Sequence, residues 1–413
     1  MPTPEQIVEK ALRKVFPTKV EEERILRIAE NYRAALEEEV RRRRLKDVDV
    51  ILAGSVAKRT FSKNTRDIDI FIRFPDVEMM KAFESICRSA LRNPKLIHGS
   101  RDFFRKVERG YLIEVVPALK ISRPEEAENT IDLSYFHINY VRSKLNEKLR
   151  KDIILFKTFL QANNCYGAET YRHGFSGYAC ELLILHYGSF LNTLRELCRP
   201  PKIFIDMEGY YKNEEEVRRN LSEAKLRSPI ILIDPTFKQR NVLASLTYKT
   251  FSTFQLQARK FLLHPSLNFF IKREVKLEEL RRRSAKRGTK LFLLQLKKPL
   301  NDDVFVAKLE RELKQFKSRA LREGYRFYAS GIEVDGKVIV FVEVETLDLS
   351  KRRIHLGPPV WVREIDFQKF IRKWGEVYVV NGRLATDVPR RKFQVLWKEF
   401  VKKIREMHHL YLK

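Results

Sequence analysis

Three features of the sequence predict an α+β protein of several domains: an α/β head over residues 1–142, a helical central domain over 143–265, and a basic α/β body and tail over 266–413. The first is size, because 413 residues exceed what one hydrophobic core usually organises, and two to four domains are expected. The second is apolar periodicity, which reads as strands and helices in the first third, as helices through the middle and as strands again after about residue 290. The third is charge. The 82 Lys and Arg against 54 Asp and Glu leave a formal +28, which points to a polyanion such as nucleic acid. A hot-environment surface rich in Lys, Arg and Glu would explain 33% charged residues but not the imbalance of sign.

In the head, Ile25, Ile28, Ala29, Tyr32, Ala35, Leu36 and Val40 recur at helical spacing between about Val20 and Leu45. The run Arg41–Arg44 closes this helix, either complementing its C-terminus or touching phosphate. VDVILAG and DIDIFIRF read as strands, Val77–Arg92 as a helix and YLIEVVPAL (Tyr111–Leu119) as a further strand. In the central domain LRKDIILFKTFLQAN, GFSGYACELLILHYGSFLNTL and VLASLTYKTFSTFQLQARKFLL have apolar faces broad enough to pack on one another. RRRSAKRGTK (Arg281–Lys290) marks a domain junction, as a solvated face or an RNA contact. Beyond it KLFLLQLKKP, a helix over about Asp303–Leu321, YRFYASGIEV and KVIVFVEVET form a β-α-β-β order, half of a ferredoxin-like (RRM-like) sheet. Asp335-Gly336 and Asn381-Gly382 are hairpin turns. The terminal helix carries Phe393, Leu396, Trp397, Phe400, Val401 and Ile404 on a core-forming face, with His408-His409 in a frayed end.

Four cysteines (Cys87, Cys165, Cys180, Cys198) without a CxxC pair have spacings that suit neither a zinc site nor a disulfide framework. The opening MPTPEQIVEKALRK lacks an apolar signal core, and no run reaches membrane-spanning length. A cytoplasmic protein with no membrane partner is expected.

The stretch that carries chemistry is GSVAKRTFSKNTRDIDIFIRF. Asp67 and Asp69 lie two apart, so a strand turns both to one face and Ile68, Ile70 and Ile72 to the other. Adjacent carboxylates repel unless a cation relieves them, and Mg²⁺ prefers oxygen ligands completed by phosphate and water. Glu114 in YLIEVVPAL is the candidate third acid, flanked by inward-facing Ile113 and Val115. Upstream, Gly54-Ser55 offers backbone N–H groups and a hydroxyl to phosphate oxygens, with Lys58 and Arg59 adding charge. The combination suggests nucleotidyl transfer, attack on an α-phosphate with loss of pyrophosphate. A second Asp-x-Asp, Asp47-Val48-Asp49, has no such cradle before it and reads as a solvated strand entry. GFSG lacks the Gly-x-Ser-x-Gly spacing of a nucleophile elbow.

The order GS, DxD, EVVP is similar to that of the polymerase β-like nucleotidyltransferase superfamily. IDLSYFHINYV, LFKTFLQANNCYGAE, HGFSGYACELLILHYGSF, DPTFKQRNVLASL and HPSLNFF together resemble the archaeal-type (class I) CCA-adding enzymes, up to about residue 300. The resemblance implies a nucleotidyltransferase head, a helical nucleotide-binding domain and C-terminal tRNA-binding domains. It implies CCA addition to tRNA from CTP and ATP with Mg²⁺, contacts to the acceptor stem and TΨC arm, and the possibility of a homodimer. By the same resemblance Asp67, Asp69 and Glu114 are metal-binding carboxylates. Ser55 and Lys58 contact phosphates, His137, Lys157 and Tyr166 contact the nucleotide, and Arg240 reads the base. Glu114 stands where the family has Asp, and Lys58 where it has Arg, so a planar fork becomes a point charge. From the residues alone His137 reads as a satisfied core histidine, Lys157 as a snorkelling lysine, Tyr166 as a loop cap and Arg240 as a polar-turn residue. A homopolymer-tailing or 2′–5′ oligomer-forming relative, and a catalytically decayed RNA-binding protein, are the competing functions.

Overall fold

The computed structural model describes residues 2–169, 171–272, 277–299 and 302–412. They form two compact units, Met1–Arg273 and Glu274–Lys413.

The first unit opens with α1 (Pro4–Val15) and α2 (Lys19–Arg42), each started by a threonine in a reciprocal capping box, Thr3 with Gln6 and Thr18 with Glu21. There follow β1 (Asp49–Leu52), α3 (Gly54–Lys58), β2 (Asp67–Phe74), α4 (Val77–Met80), α5 (Phe83–Ala90), β3 (Lys95–Ile97), β4 (Phe103–Glu108) and β5 (Tyr111–Leu119). The strands make one sheet in the order β1-β2-β5-β4-β3, with only β2 and β5 parallel. β2 and β5 begin and end where the apolar alternation placed them. Ile68, Ile70, Ile72, Ile113 and Val115 are fully buried against Ile25, Ala29 and Leu36 of α2 and Ile86 of α5. The carboxylates therefore stand on the opposite face of the sheet from this core. Asp49 is not a merely solvated strand entry: it pairs with Arg73 at 2.6 Å and Lys120 at 3.4 Å. Arg43 bonds Ser85 and Ser89, so part of the Arg41–Arg44 run ties α2 to the α5 segment.

The middle of the chain contributes α6 (Ser134–Lys144), α7 (Glu147–Ala162), α8 (Gly177–Tyr187) and α9 (Phe190–Glu196). Then come β6 (Ile203–Ile205), α10 (Glu214–Asn220), α11 (Glu223–Leu226), β7 (Ile230–Asp234), β8 (Phe237–Asn241) and α12 (Tyr248–Leu263). Helices α7, α8, α9 and α12 bury a phenylalanine cluster. Phe159 is at its centre, with ring centroids 5.8–6.3 Å from Phe190, Phe254, Phe261, Phe269 and Phe270. Ile7, Ala11 and Val15 of α1 join this cluster rather than the sheet core. Strands β6, β7 and β8 make a small sheet that helical periodicity did not reveal, because strands of three to five residues are too short for a clear pattern. Ser176 of GFSG is the N-cap of α8, accepting from Ala179 N at 3.1 Å, which is a structural role.

The second unit contains α13 (Leu277–Arg287), β9 (Lys290–Lys297), α14 (Asp302–Arg322), β10 (Phe327–Asp335) and β11 (Lys337–Val344). The sheet order β10-β11-β9, antiparallel throughout, is the order that half of a ferredoxin-like sheet requires. After it run β12 (Arg352–Pro359), α15 (Glu364–Trp374), β13 (Tyr378–Val380), β14 (Arg383–Pro389) and α16 (Phe393–Leu412), with strand order β12-β14-β13. Asn381 and Gly382 turn the last hairpin with φ of 47° and 74°, the left-handed pair that a tight two-residue turn needs. Phe393, Leu396, Phe400 and Ile404 are buried, as their spacing predicts. His408 corrects the frayed-end expectation: it is buried, with Nε2 2.8 Å from the Lys297 carbonyl.

Candidate active site

The site begins at the turn between β1 and α3. Gly54 sits at φ +57°, and a Cβ there would lie 1.8 Å from Asp69 Oδ2. Only glycine lets the turn close onto that carboxylate. The Ala53 N–H donates to the Asp69 carbonyl at 2.8 Å and pins turn to strand. The chain leaves α3 through Arg59 in the left-handed region, held by Arg150 Nε donating to its carbonyl at 2.7 Å. The Arg59 side chain is exposed and lies 3.8 Å from Glu22. Gly54→Ala should cost about 1–2 kcal/mol from the left-handed backbone alone and displace Asp69. Nucleotide addition should fall further than thermal stability explains, and an alanine variant with unchanged activity would count against this packing.

On β2 and β5, Asp69 stands opposite Glu114 in the parallel register, and Asp67 opposite Leu112. Burial, then the charges of Glu114 and Asp67, push the Asp69 carboxyl up to about 7, with Lys58 pulling it back. On its other side Glu114 faces Arg105 of β4, its antiparallel register partner, whose Nη2 and Nε lie 2.6 and 2.8 Å from Oε1. Arg105 carries no motif, and only the pairing of β4 with β5 reveals it. Among the described residues no three metal-ligating side chains close around one point, and Glu114 is turned to this arginine. The donor set nonetheless fits a hard cation. Two aspartates share a face, one is crowded by like charge, and Gly54 leaves room beside it.

Behind α3 lies a second, buried cluster. Lys58 Nζ is 2.6 Å from Glu181 Oε2, and Lys157 Nζ donates to Glu181 Oε1 at 2.7 Å. Thr60 Oγ1 donates to the same Oε1 at 2.6 Å and accepts from Lys157 at 2.9 Å. Lys157 is thus not a snorkelling lysine. Burial alone would raise the Glu181 carboxyl, but Lys157 and Lys58 outweigh it and bring it down to about 2. Glu181 escaped the sequence reading, although a lone acid inside YACELLILHY is a signal: such a group is costly to bury unpaired.

A third cluster is built on Asp234 at the end of β7. Its Oδ2 accepts from Arg240 Nη1 at 2.6 Å and lies 2.9 Å from His137 Nε2. Its Oδ1 accepts from Tyr178 OH at 3.1 Å and from Thr236 N and Oγ1 at 2.9 and 2.8 Å. His137 stacks on Tyr178 with centroids 4.0 Å apart. Burial lowers the His137 pKa, and Asp234 opposes it. Arg240 belongs to strand β8, not to a polar turn. Tyr178 and Glu181, three apart on α8, join the clusters, since Lys58 Nζ lies 5.8 Å from the Tyr178 ring centroid. Tyr166, bridged to Phe175 ahead of this helix, sets its hydroxyl 2.9 Å from where a Cβ on Gly177 would be, and burial raises its pKa well above the ordinary value. All nine residues singled out from sequence thus fall in the first unit. Lys58, Lys157, His137 and Arg240 are organised by two carboxylates that sequence reasoning missed.

Comparison with known proteins places this geometry. Residues 33–158 match a nucleotidyltransferase domain, 151–271 the second domain of tRNA nucleotidyltransferase, and 287–410 the C-terminal domain of the CCA-adding enzyme. The chain is 35% identical over 347 residues to the CCA-adding enzyme of Nanoarchaeum equitans, covering 82% of this chain and 83% of that one. It is 33% identical over 360 residues to that of Pyrococcus abyssi (83% and 77% covered), and 29% identical over 413 residues to that of Methanocaldococcus jannaschii (97% and 91% covered). Among solved structures, a cytoplasmic RNA terminal U-transferase superposes with a TM-score of 0.50 at 12% identity over 65% of this chain and 98% of that one, a likeness of fold. With a carboxylate-bearing strand pair behind a Gly-Ser turn and 35% identity across four-fifths of its length, the chain belongs to the archaeal-type CCA-adding enzymes of the polymerase β-like nucleotidyltransferase superfamily.

Proposed function

We propose, on the crowded face that sets Asp69 against Glu114 beside Gly54, that this head is where nucleotides are joined to RNA. The enzyme adds the CCA end to tRNA from CTP and ATP without a nucleic-acid template and depends on Mg²⁺. Asp67 and Asp69 would hold Mg²⁺, which when bound supplies Lewis-acid activation of the 3′-hydroxyl and neutralises the departing pyrophosphate. Glu114 would serve as the third carboxylate, which requires Arg105 to share or release it. Ser55, Lys58 and Lys157 would contact the triphosphate, Tyr166 and His137 would flank the nucleotide, and Arg240 would present donors to the base from its anchor on Asp234. Domain limits near 142 and 265 are part of this reading; the matched segments overlap at 151–158 and the second ends at 271, and α1 packs on the central helices within one compact unit. The basic second unit would grip the acceptor stem and TΨC arm through phosphate and shape, so binding should weaken steeply with salt. Among the described residues no helix is long and apolar enough to cross a membrane.

The test is extension of a tRNA transcript lacking CCA. CTP alone should add two nucleotides, ATP should add one only after them, and UTP and GTP should not be used. Comparable use of UTP or GTP, or a homopolymer ladder, would overturn the assignment in favour of a tailing enzyme.

A further inference from the structure

Glu181 has been given no role in nucleotide binding above, yet with Asp234 it is among the most enclosed charges described in the first unit. It is fully buried on α8 between Cys180 and Leu182, with Leu183 and Ile184 also at 0% exposure. Its two oxygens face two ammonium groups, Lys58 from α3 at 2.6 Å and Lys157 from α7 at 2.7 Å. Both lysines are themselves buried. If stability were the only demand, apolar residues of similar volume would serve at least as well. A single carboxylate is shared by two ammoniums, with the Asp69 carboxylate also acting on Lys58, an arrangement that suits an arriving anion. The two lysines are also held differently. Lys157 is bonded both to Glu181 and to Thr60, whereas Lys58 meets Glu181 Oε2 at 2.6 Å with the Tyr178 ring centroid 5.8 Å away. Since an ammonium has three protons to give, an arriving phosphate oxygen would share Lys58 with Glu181 rather than replace it.

We propose that Glu181 is a positioning residue for nucleotide binding, an internal counter-ion that holds the Lys58 and Lys157 ammoniums in place until triphosphate oxygens take over part of their hydrogen bonding. The assignment rests on the reading of Lys58 and Lys157 as phosphate contacts. Burial tends to discharge Lys58, and the Glu181 charge counters it, in line with this role. Because the triphosphate is common to both substrates, the effect is independent of the base.

The experiment compares steady-state CTP and ATP addition, on tRNA lacking CCA and on tRNA ending in CC, for Glu181→Gln, Lys58→Met, Lys157→Met and their combinations. Glu181→Gln should raise KM for CTP and for ATP by the same factor, on the order of tenfold, the effect of losing one charge-assisted hydrogen bond that places the two ammoniums. The kcat should stay within about threefold. In the Lys58→Met/Lys157→Met background the same change should add nothing to KM, because its only route of action has gone. Should Glu181→Gln alone not fold, Glu181→Gln set against Glu181 in the Lys58→Met background, which removes one buried charge, supplies the comparison. An unchanged KM in Glu181→Gln with a raised KM in Lys58→Met would overturn the proposal and leave the phosphate reading standing. A penalty that persists without both lysines would show a merely structural role and also overturn it. Unchanged KM in both lysine variants would overturn the phosphate reading itself.

Discussion

Replacing Asp69 by asparagine should cut nucleotide addition by on the order of a thousandfold, the loss expected when a metal contributing several kcal/mol of charge stabilisation is no longer held. The same change should stabilise the metal-free protein at pH 8. Asp69 has its folded carboxyl pushed up to about 7, by burial first and then by Glu114 and Asp67, from an ordinary value of 3.8. Between those values the folded form keeps a proton that the unfolded form has lost, so apo stability falls as pH rises from about 4 to 7 and stays low above it. Asparagine is neutral at every pH and removes that penalty. Its melting temperature without divalent ions should exceed that of the parent at pH 8, and the gap should close toward pH 4. Filter binding should show tRNA affinity nearly unchanged. Retained activity would remove Asp69 from the reaction, and a lower melting temperature at pH 8 would contradict the crowding of the three acids.

The largest loss of stability is expected at Phe159→Ala, about 3–5 kcal/mol. The ring is fully buried and touches five other phenylalanines from α9, α12 and the segment after it. Its removal leaves a cavity that several helices would have to close together. Urea unfolding followed by tryptophan-independent circular dichroism should show a lower midpoint with little change in slope. A loss below about 1 kcal/mol would mean that the helices relax into the space and that the cluster is less tightly packed than its ring distances indicate. Because Lys157 lies two residues away on the same helix, a weakened α7 should also raise KM for both nucleotides.

How far the sequence could be read depended on whether the information was local. Asp67, Ile68, Asp69 and Ile70 sorted to opposite faces because strand alternation is a property of consecutive residues, and the two hairpin turns and the terminal amphipathic helix were legible for the same reason. β3, β4 and β6 through β8 were not legible, being short or weakly patterned. With them went Arg105, which matters only through its pairing with Glu114, and Asp234, whose role depends on a histidine 97 positions earlier. Glu181 stands 121 residues from Thr60 and 24 from Lys157, separations that no periodicity spans.

By itself, the order of residues determined that two aspartates share a strand face behind a glycine turn, that the middle of the chain is helical and that the whole is strongly basic. It also carried the family likeness. Tertiary structure alone decided which charges meet: Arg105 with Glu114, Asp234 with His137 and Arg240, and one buried carboxylate with two lysines. Strand and helix patterns are set by neighbours in sequence, whereas the energy of a charge is set by neighbours in space.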